Sequence, residues 1–134
     1  MAEARLDAIG IVVGNLAQAV PFYRLLGAPF PEGSEVSEHG HAEAQLAGGV
    51  RLMLDSEEEI HKFDSEWRRA TGSPGTSVAF RCSSAKDVDE VYAKAVAAGG
   101  KAHREPWDAF WGQRYAQIRD ADGNAIDLYA DLPR

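Results

Sequence analysis

The segment AIGIVVGNLAQAVPFYRLLG, residues 8–27, predicts a β-strand that runs directly into an α-helix. Larger and smaller apolar side chains alternate over residues 6–13, which is typical of a strand with one buried face. Asn15, with Gln18 three residues later, resembles a capping box at the start of a helix. Pro21 conflicts with this helix because an internal proline removes a backbone hydrogen bond, so we expect a distorted first turn or a later start.

The same order of elements returns after TGSPG (71–75), which is the clearest linker in the chain. A strand at 76–82 is followed by a helix that begins after Ser84 and ends at Gly99. Each half therefore reads strand, helix, short strand and hairpin, and such self-similarity indicates a repeated module. We predict one α+β domain over residues 1–134, with βαβββ module 1 at about 5–55, a linker at about 56–75 and βαβββ module 2 at about 76–131.

The elements between these strands and helices are read from turn residues and alternation. They are a loop over most of 27–40, a hairpin at 41–55 with its turn at 47–49, a short acidic helix within 56–67, a short strand near 101–104, and a closing hairpin of 112–119 and 124–130.

The composition excludes several classes of protein. The net charge of −7 and the pI of about 5.0 argue against a nucleic-acid partner, whose binding surface is usually basic. No apolar run approaches the length of a membrane span, and the N-terminus lacks the pattern of a signal peptide. Cys82 is the single cysteine, so no internal disulfide forms. We expect a cytoplasmic protein with no membrane or nucleic-acid partner.

When Asp120 is set opposite Asn124, the residues of the closing hairpin fall on two chemically distinct faces. Alternation then gives one apolar face, which a helix can cover, and one face that is both aromatic and polar. The apolar face carries Ala116, Ile118, Ile126 and Leu128. The aromatic and polar face carries Trp111, Gln113, Tyr115, Gln117, Asp127 and Tyr129.

The first hairpin and the two leading strands follow the same logic. The face away from the helix carries His41, Glu43, Gln45, Arg51 and Met53 in the hairpin, and mostly small residues in the leading strands, such as Gly10 and Ala79. Small residues beneath aromatic walls predict a cleft, and concave sites of this kind hold small molecules.

PWDAFWGQRY (106–115) holds two of the three tryptophans of the chain. Trp111 is our candidate for the cavity wall, and Trp107 lies in a predicted loop as a lid or an interface residue. Phe110 and Phe30 are further candidates, Phe30 because Pro29 and Pro31 would present it rigidly in a loop. Core packing or a dimer interface is the alternative for these rings, since aromatic residues are enriched in both.

At this point the chain resembles a known family. AIGIVVGNLAQAVPFYRLLG resembles the opening, and RDADGNAIDLY (119–129) the closing hairpin, of the vicinal-oxygen-chelate superfamily, the glyoxalase, bleomycin resistance and dioxygenase proteins. The resemblance implies two modules that form an incomplete barrel around a cleft, in a homodimer. The sequence is most similar to mitomycin-resistance and enediyne-binding antibiotic resistance proteins, which also implies that Trp67 roofs the cleft.

Enzymes of this superfamily use a divalent metal held by His and Glu. The resemblance places the four ligand positions at Ala8, Met53, Ser77 and Asp127, and only Asp127 is a strong ligand. A catalytic divalent site usually has three protein ligands, so we expect neither a metal nor another cofactor. Asp127 needs a partner inside a strand, which either a ligand or a structural neighbour could supply.

We therefore predict a protein that confers antibiotic resistance by binding and sequestering a flat, polycyclic or quinone-containing drug, of mitomycin, enediyne or bleomycin type, without catalysis. No catalytic residue is assigned. The alternative is a metal-dependent lyase, dioxygenase or thiol transferase that uses His41, Glu43 and Asp127. A metal-free isomerase or a metabolite sensor is a third possibility. The predicted ligand contacts are Phe30, His41, Arg51, Met53, Trp67, Trp107, Phe110, Trp111, Gln113, Tyr115, Asp127 and Tyr129.

Overall fold

The computed structural model describes residues 2–133, which divide into two compact units at residues 68 and 69. Each unit is a mixed α+β structure with one sheet, which two helices contact in the first unit and one helix in the second. None of the helices within residues 2–133 is long and apolar enough to cross a bilayer.

The first unit has a three-stranded sheet in the order β1-β3-β2, with β1 parallel to β3 and β2 antiparallel to it. Its elements are β1 (Ala8–Val13), α1 (Leu16–Leu25), β2 (His41–Gln45), β3 (Arg51–Ser56) and α2 (Glu57–Phe63). Its core contains the fully buried side chains of Val13, Val20, Tyr23, Leu52 and Leu54.

Helix α1 begins where its cap directs, since the Asn15 side chain accepts a hydrogen bond from the Gln18 amide at 3.2 Å. The expectation of a later start because of Pro21 is wrong. The helix runs through Pro21, which lies on the exposed side. A proline ring holds φ at a helical value, so its main cost at such a position is the lost hydrogen bond.

The segment between α1 and β2 forms no fourth strand, so the prediction of βαβββ is wrong for the first module. Pro29 and Pro31 lack the amide hydrogens that a ladder needs. Arg24 holds the segment in another shape, since its guanidinium donates to the Phe30 carbonyl at 3.0 Å and to Glu35 at 2.7 Å. A short 3-10 helix, Ser34–Val36, takes the place of the strand.

The second unit has a four-stranded sheet in the order β4-β7-β6-β5, with β4 parallel to β7 and the other pairs antiparallel. Its elements are β4 (Ser77–Arg81), α3 (Ala85–Ala97), β5 (Lys101–Ala109), β6 (Gln113–Arg119) and β7 (Ala125–Asp131). Ser84 caps α3 as predicted, accepting from the Asp87 amide at 3.2 Å.

The predicted register of the closing hairpin is confirmed. Gln117 lies opposite Asp127 and Tyr115 opposite Tyr129. The Asp120 amide bonds to the Asn124 carbonyl at 3.0 Å and closes the turn. The face of the sheet toward α3 is buried, so a ligand could reach only the opposite face.

Strand β5 differs from the prediction because it runs for nine residues instead of about four. It is an edge strand, where a proline is tolerated, and so Pro106 does not end it. Trp107 therefore lies in a strand, opposite Tyr115, and not in a loop. Trp111 lies in the turn at 110–112 rather than in β6, and Gly112 closes that turn with φ of 93°.

Candidate functional site

Four rings come together on the face of the second sheet that points away from α3. Trp107, Tyr115 and Tyr129 are neighbours across β5, β6 and β7, and Trp111 joins them from the turn. The Trp111 and Tyr115 ring centroids are 5.3 Å apart, those of Trp107 and Tyr115 are 5.5 Å apart, and Tyr115 stacks on Tyr129 at 6.0 Å. We call these four residues the aromatic face.

The aromatic face is accessible. Trp111 is 49% exposed, and the other three rings are half-buried. Phe110 contacts Trp111 edge-on at 5.0 Å but is 97% exposed, so it extends the apolar surface beyond the sheet. An exposed group of large aromatic rings on a folded unit is typical of a surface that binds a partner or ligand.

Asp127 lies beside the aromatic face and is only 8% exposed. Its Oδ2 accepts a hydrogen bond of 2.6 Å from the Tyr115 hydroxyl and one of 3.4 Å from the Ser77 hydroxyl. Burial, followed by the bond to Asp127, raises the pKa of Tyr115 to about 12. Tyr115 therefore stays a neutral donor across the physiological range and holds both its own ring and the carboxylate in place.

A chain of polar contacts fixes the outer end of the aromatic face. The Trp111 indole donates to Gln113 Oε1 at 2.8 Å, and the Gln113 amide donates to Asp131 at 3.0 Å. Asp131 in turn accepts from Arg81 at 3.1 Å. The Trp111 ring is thus oriented before any ligand arrives, which lowers the entropic cost of binding.

Two guanidinium groups lie over rings of the aromatic face. The Arg104 Cζ atom is 3.6 Å from the centroid of Trp107, and that of Arg81 is 4.7 Å from the centroid of Tyr129. Both arginines are exposed. Such cation–π contacts contribute about 0.5–1 kcal/mol at exposed sites, so a ligand could displace either group at small cost.

Polar residues of the first sheet form a separate ionic network. Both ring nitrogens of His41 meet carboxylates, Nδ1 with Asp55 at 2.5 Å and Nε2 with Glu43 at 2.7 Å. Arg51 donates to Glu43 at 2.8 Å and to Asp7 at 2.6 Å.

The network favours a charged His41. Burial lowers the pKa of His41, but its bonds to Glu43 and Asp55 outweigh this and raise the pKa overall. The bond to His41, followed by that to Arg51, lowers the pKa of Glu43. His41 and Arg51, two of the predicted ligand contacts, are therefore already engaged with neighbouring carboxylates.

The predicted ligand residues fall into distinct environments. Six of them surround one surface: Trp107, Trp111, Gln113, Tyr115, Asp127 and Tyr129. Met53 lies on the first sheet, opposite Glu43 and Gly10. Trp67 follows α2, where its carbonyl accepts from His61 at 3.0 Å and the two rings meet edge-on.

Phe30 requires a correction, because its side chain is 5% exposed and is not presented to solvent. The bond from Arg24 to the Phe30 carbonyl and the bond from the Phe30 amide to Ala28 turn the ring into the core of the first unit. Prolines on both sides restrict the backbone but do not decide which way the side chain points.

Arg104, Arg81 and Gln117 belong to the site but were not among the predicted ligand contacts. Strand alternation places Gln117 on the correct face, and Arg81 lies opposite Tyr129 on the neighbouring strand β4. The register of β5 shifts between Ala102 and Arg104 and again between Arg104 and Trp107. Such irregularities change which side chains share a face, so simple alternation could not place Arg104.

The four positions at which the family resemblance places metal ligands do not fit a divalent ion. Ala8 and Met53 offer no hard donor, and the Ser77 hydroxyl bonds to Asp127. Asp127 alone remains, and one of its oxygens already accepts two hydrogen bonds. Within residues 2–133, no three His, Cys, Asp or Glu side chains are grouped as a metal site requires.

Comparison with protein families gives one match. Residues 5–128 match the model of the glyoxalase/bleomycin resistance protein/dioxygenase superfamily. No curated protein matches the chain.

Solved structures share the fold at low sequence identity. An enzyme of that superfamily from Burkholderia phytofirmans PsJN is 17% identical with a TM-score of 0.79, over 96% of this chain and 100% of its own. A protein from Agrobacterium tumefaciens is 25% identical with a TM-score of 0.71, over 98% and 100%. TioX from Micromonospora sp. ML1 is 22% identical with a TM-score of 0.63, over 96% and 100%.

Proposed function

The chain belongs to the glyoxalase/bleomycin resistance protein/dioxygenase superfamily, and we propose that its aromatic face holds a planar small molecule without transforming it. The ligand is a flat, polycyclic or quinone-containing drug of mitomycin, enediyne or bleomycin type, and sequestration of that drug protects the cell. We further propose that the protein acts as a cytoplasmic homodimer. Protection by sequestration depends on affinity and abundance, not on turnover.

The observation that carries this proposal is the aromatic face itself. Trp107, Trp111, Tyr115 and Tyr129 form a surface that is more aromatic than the packing of the second unit needs, since α3 covers the opposite face of the sheet. Aromatic pairs contribute about 0.5–1.5 kcal/mol each beyond the burial of area. Two or three such contacts, added to the hydrophobic contribution, are enough for micromolar affinity.

The ionisable groups of the second unit support holding rather than chemistry. Tyr115, with a pKa of about 12, is a poor base at neutral pH. Burial raises the pKa of the Cys82 thiol, which therefore stays protonated and weakly nucleophilic. Asp127 accepts hydrogen bonds from Tyr115 and Ser77 at Oδ2, which fixes the position of the carboxylate as a hydrogen-bond acceptor.

The proposal is tested by titrating mitomycin C, bleomycin and an enediyne into the protein while the tryptophan fluorescence is followed. We expect saturable quenching by at least one drug, with one molecule bound per chain and unaltered drug recovered after unfolding. Trp111→Ala should weaken binding about tenfold, the loss of one ring contact and its burial. Leu6→Ala, an exposed apolar residue of the first unit, is the matched control and should leave affinity unchanged.

Two results would overturn the proposal. Unchanged fluorescence with all three drug classes would remove the binding activity. Recovery of a chemically altered drug in molar excess over the protein would replace sequestration with catalysis, and a metal ion lost from Asp127→Ala together with that activity would identify the metal-dependent alternative.

A further inference from the structure

We infer that Asp127 and Gln117 form hydrogen bonds with the edge of the bound ring. The ligand is a planar aromatic molecule whose edge carries an N–H or O–H donor beside a carbonyl oxygen. This inference rests on the proposed function, because it names the chemistry of the ligand that the aromatic face would hold.

The first group that would contact the ligand edge is Oδ1, the second carboxylate oxygen of Asp127. Both hydrogen bonds of this carboxylate, from Tyr115 and from Ser77, go to Oδ2. No residue between 2 and 133 donates to Oδ1, although the residue is only 8% exposed. Because no side-chain oxygen within residues 2–133 is both fully buried and unpaired, Oδ1 still reaches solvent. A ligand that covers it without donating a hydrogen bond would leave it unpaired at a cost of about 1–3 kcal/mol.

The second group that would contact the ligand edge is the Gln117 side chain, which is half-buried on β6. Its amide forms no side-chain hydrogen bond within the described part of the chain. A glutamine amide has two donors and one acceptor, and here all of them are available to a ligand.

The register brings the two groups together. Gln117 and Asp127 lie directly opposite each other on β6 and β7, so their Cβ atoms are about 4.5–5.5 Å apart. The next pair along the same strands and on the same face is Tyr115 and Tyr129, whose rings stack. A flat ligand that lies against these rings therefore presents one edge to Gln117 and Asp127.

The chemistry of this pair selects the ligand edge. The Asp127 carboxylate accepts hydrogen bonds, while the Gln117 amide can donate one to a carbonyl. An edge with a donor beside a carbonyl, as in an aminoquinone, a hydroxyquinone or a cyclic imide, satisfies both groups at once. An edge that has only acceptors leaves the Asp127 oxygen desolvated and unpaired, and polar sites discriminate strongly against such analogues.

The test compares two probes, amino-para-naphthoquinone, whose amino group lies beside a carbonyl, and its N,N-dimethyl derivative, which keeps the ring and the carbonyls but has no donor. Calorimetric titration should show the amino compound binding at least about tenfold more tightly, the effect of one hydrogen bond to a charged acceptor. The intact mass of the recovered protein checks that neither quinone has added to Cys82.

Two variants separate the roles of the two side chains. Asp127→Asn keeps an oxygen for Tyr115 but turns an amide donor toward the ligand, so the preference for the amino compound should disappear. A purely steric preference would survive this change. Gln117→Met, of similar size, should weaken both probes by a similar factor and leave the preference intact, because both probes have the carbonyl.

The outcomes distinguish this inference from the function on which it rests. Equal affinity of the two probes for the wild type, or a preference unchanged in Asp127→Asn, would overturn the inference and leave the aromatic face as a binding surface. Failure of both probes to bind would overturn the inference, whereas the proposed function fails only if the three drugs also leave the tryptophan fluorescence unchanged.

Discussion

The contact between Tyr115 and Asp127 should contribute measurably to the stability of the second unit, and Tyr115→Phe removes it without removing the ring. The variant leaves a carboxylate that is 8% exposed with only the 3.4 Å bond from Ser77. A hydrogen bond to a charged group contributes about 1.5–3 kcal/mol net, so we expect the free energy of unfolding to fall by about that amount.

Urea unfolding followed by circular dichroism measures this loss. With an m-value of about 1–3 kcal/mol per molar urea, the midpoint should fall by roughly 1 M. Tyr92→Phe is the matched control, because the Tyr92 hydroxyl forms no hydrogen bond with any residue from 2 to 133. If both variants change stability equally, the bond between Tyr115 and Asp127 is not the strong contact that its 2.6 Å length indicates.

Tyr115→Phe should also change how the free energy of unfolding depends on pH in alkaline solution. The pKa of Tyr115 is about 12 in the folded protein, above the ordinary value of 10.0. A raised folded pKa means that the contribution of this group is complete below pH 10 and is lost as the pH rises toward 12. Wild type should therefore lose stability more steeply than Tyr115→Phe in that window, and parallel curves would contradict the assignment.

The remaining predictions concern the turn at Asp120 and the ionic network of His41, both outside the aromatic face. Asp120 is 3% exposed and accepts hydrogen bonds from the backbone amides of Asp122 and Asn124 at 2.9 Å each. Asp120→Ala should therefore lower the free energy of unfolding by about 2–4 kcal/mol, measured by urea unfolding. Asp122→Ala, the control, should change it little. The folded pKa of His41 is raised above 6.5, so its contribution is complete below that pH and is lost as the pH rises through the folded value. The stability difference between wild type and His41→Gln should therefore shrink from acidic to alkaline pH, and a constant difference would show that the charge on His41 is not what matters.

The sequence predicts most of the second sheet, because two simple rules act on it without competition. A tight turn at Asp120 and Asn124 sets the register, and alternation then assigns every side chain of β6 and β7 to a face. Alternation therefore assigns Asp127, Tyr115 and Tyr129 to one face, in agreement with the structure.

The errors occur where a contact beyond the immediate neighbours in sequence overrides a local rule. Pro106 ends a strand in the sequence pattern, but the edge position of β5 lets the strand continue and brings Trp107 beside Tyr115. Phe30 is turned into the core by a bond from Arg24, six residues earlier. Neither the edge position of β5 nor the bond from Arg24 can be recognised from the sequence neighbours of Trp107 or Phe30.

The central claim, that the aromatic face holds a drug without changing it, is tested most directly by counting drug molecules. The protein is incubated with excess mitomycin C, bleomycin or an enediyne, free drug is removed by ultrafiltration, and the retained drug is released by unfolding and weighed by mass spectrometry. The account predicts that at least one of these drugs is retained at one molecule per chain, with its mass unchanged, and that retention falls in Trp111→Ala. No retention of any of them, or more than one altered molecule per chain, would contradict it.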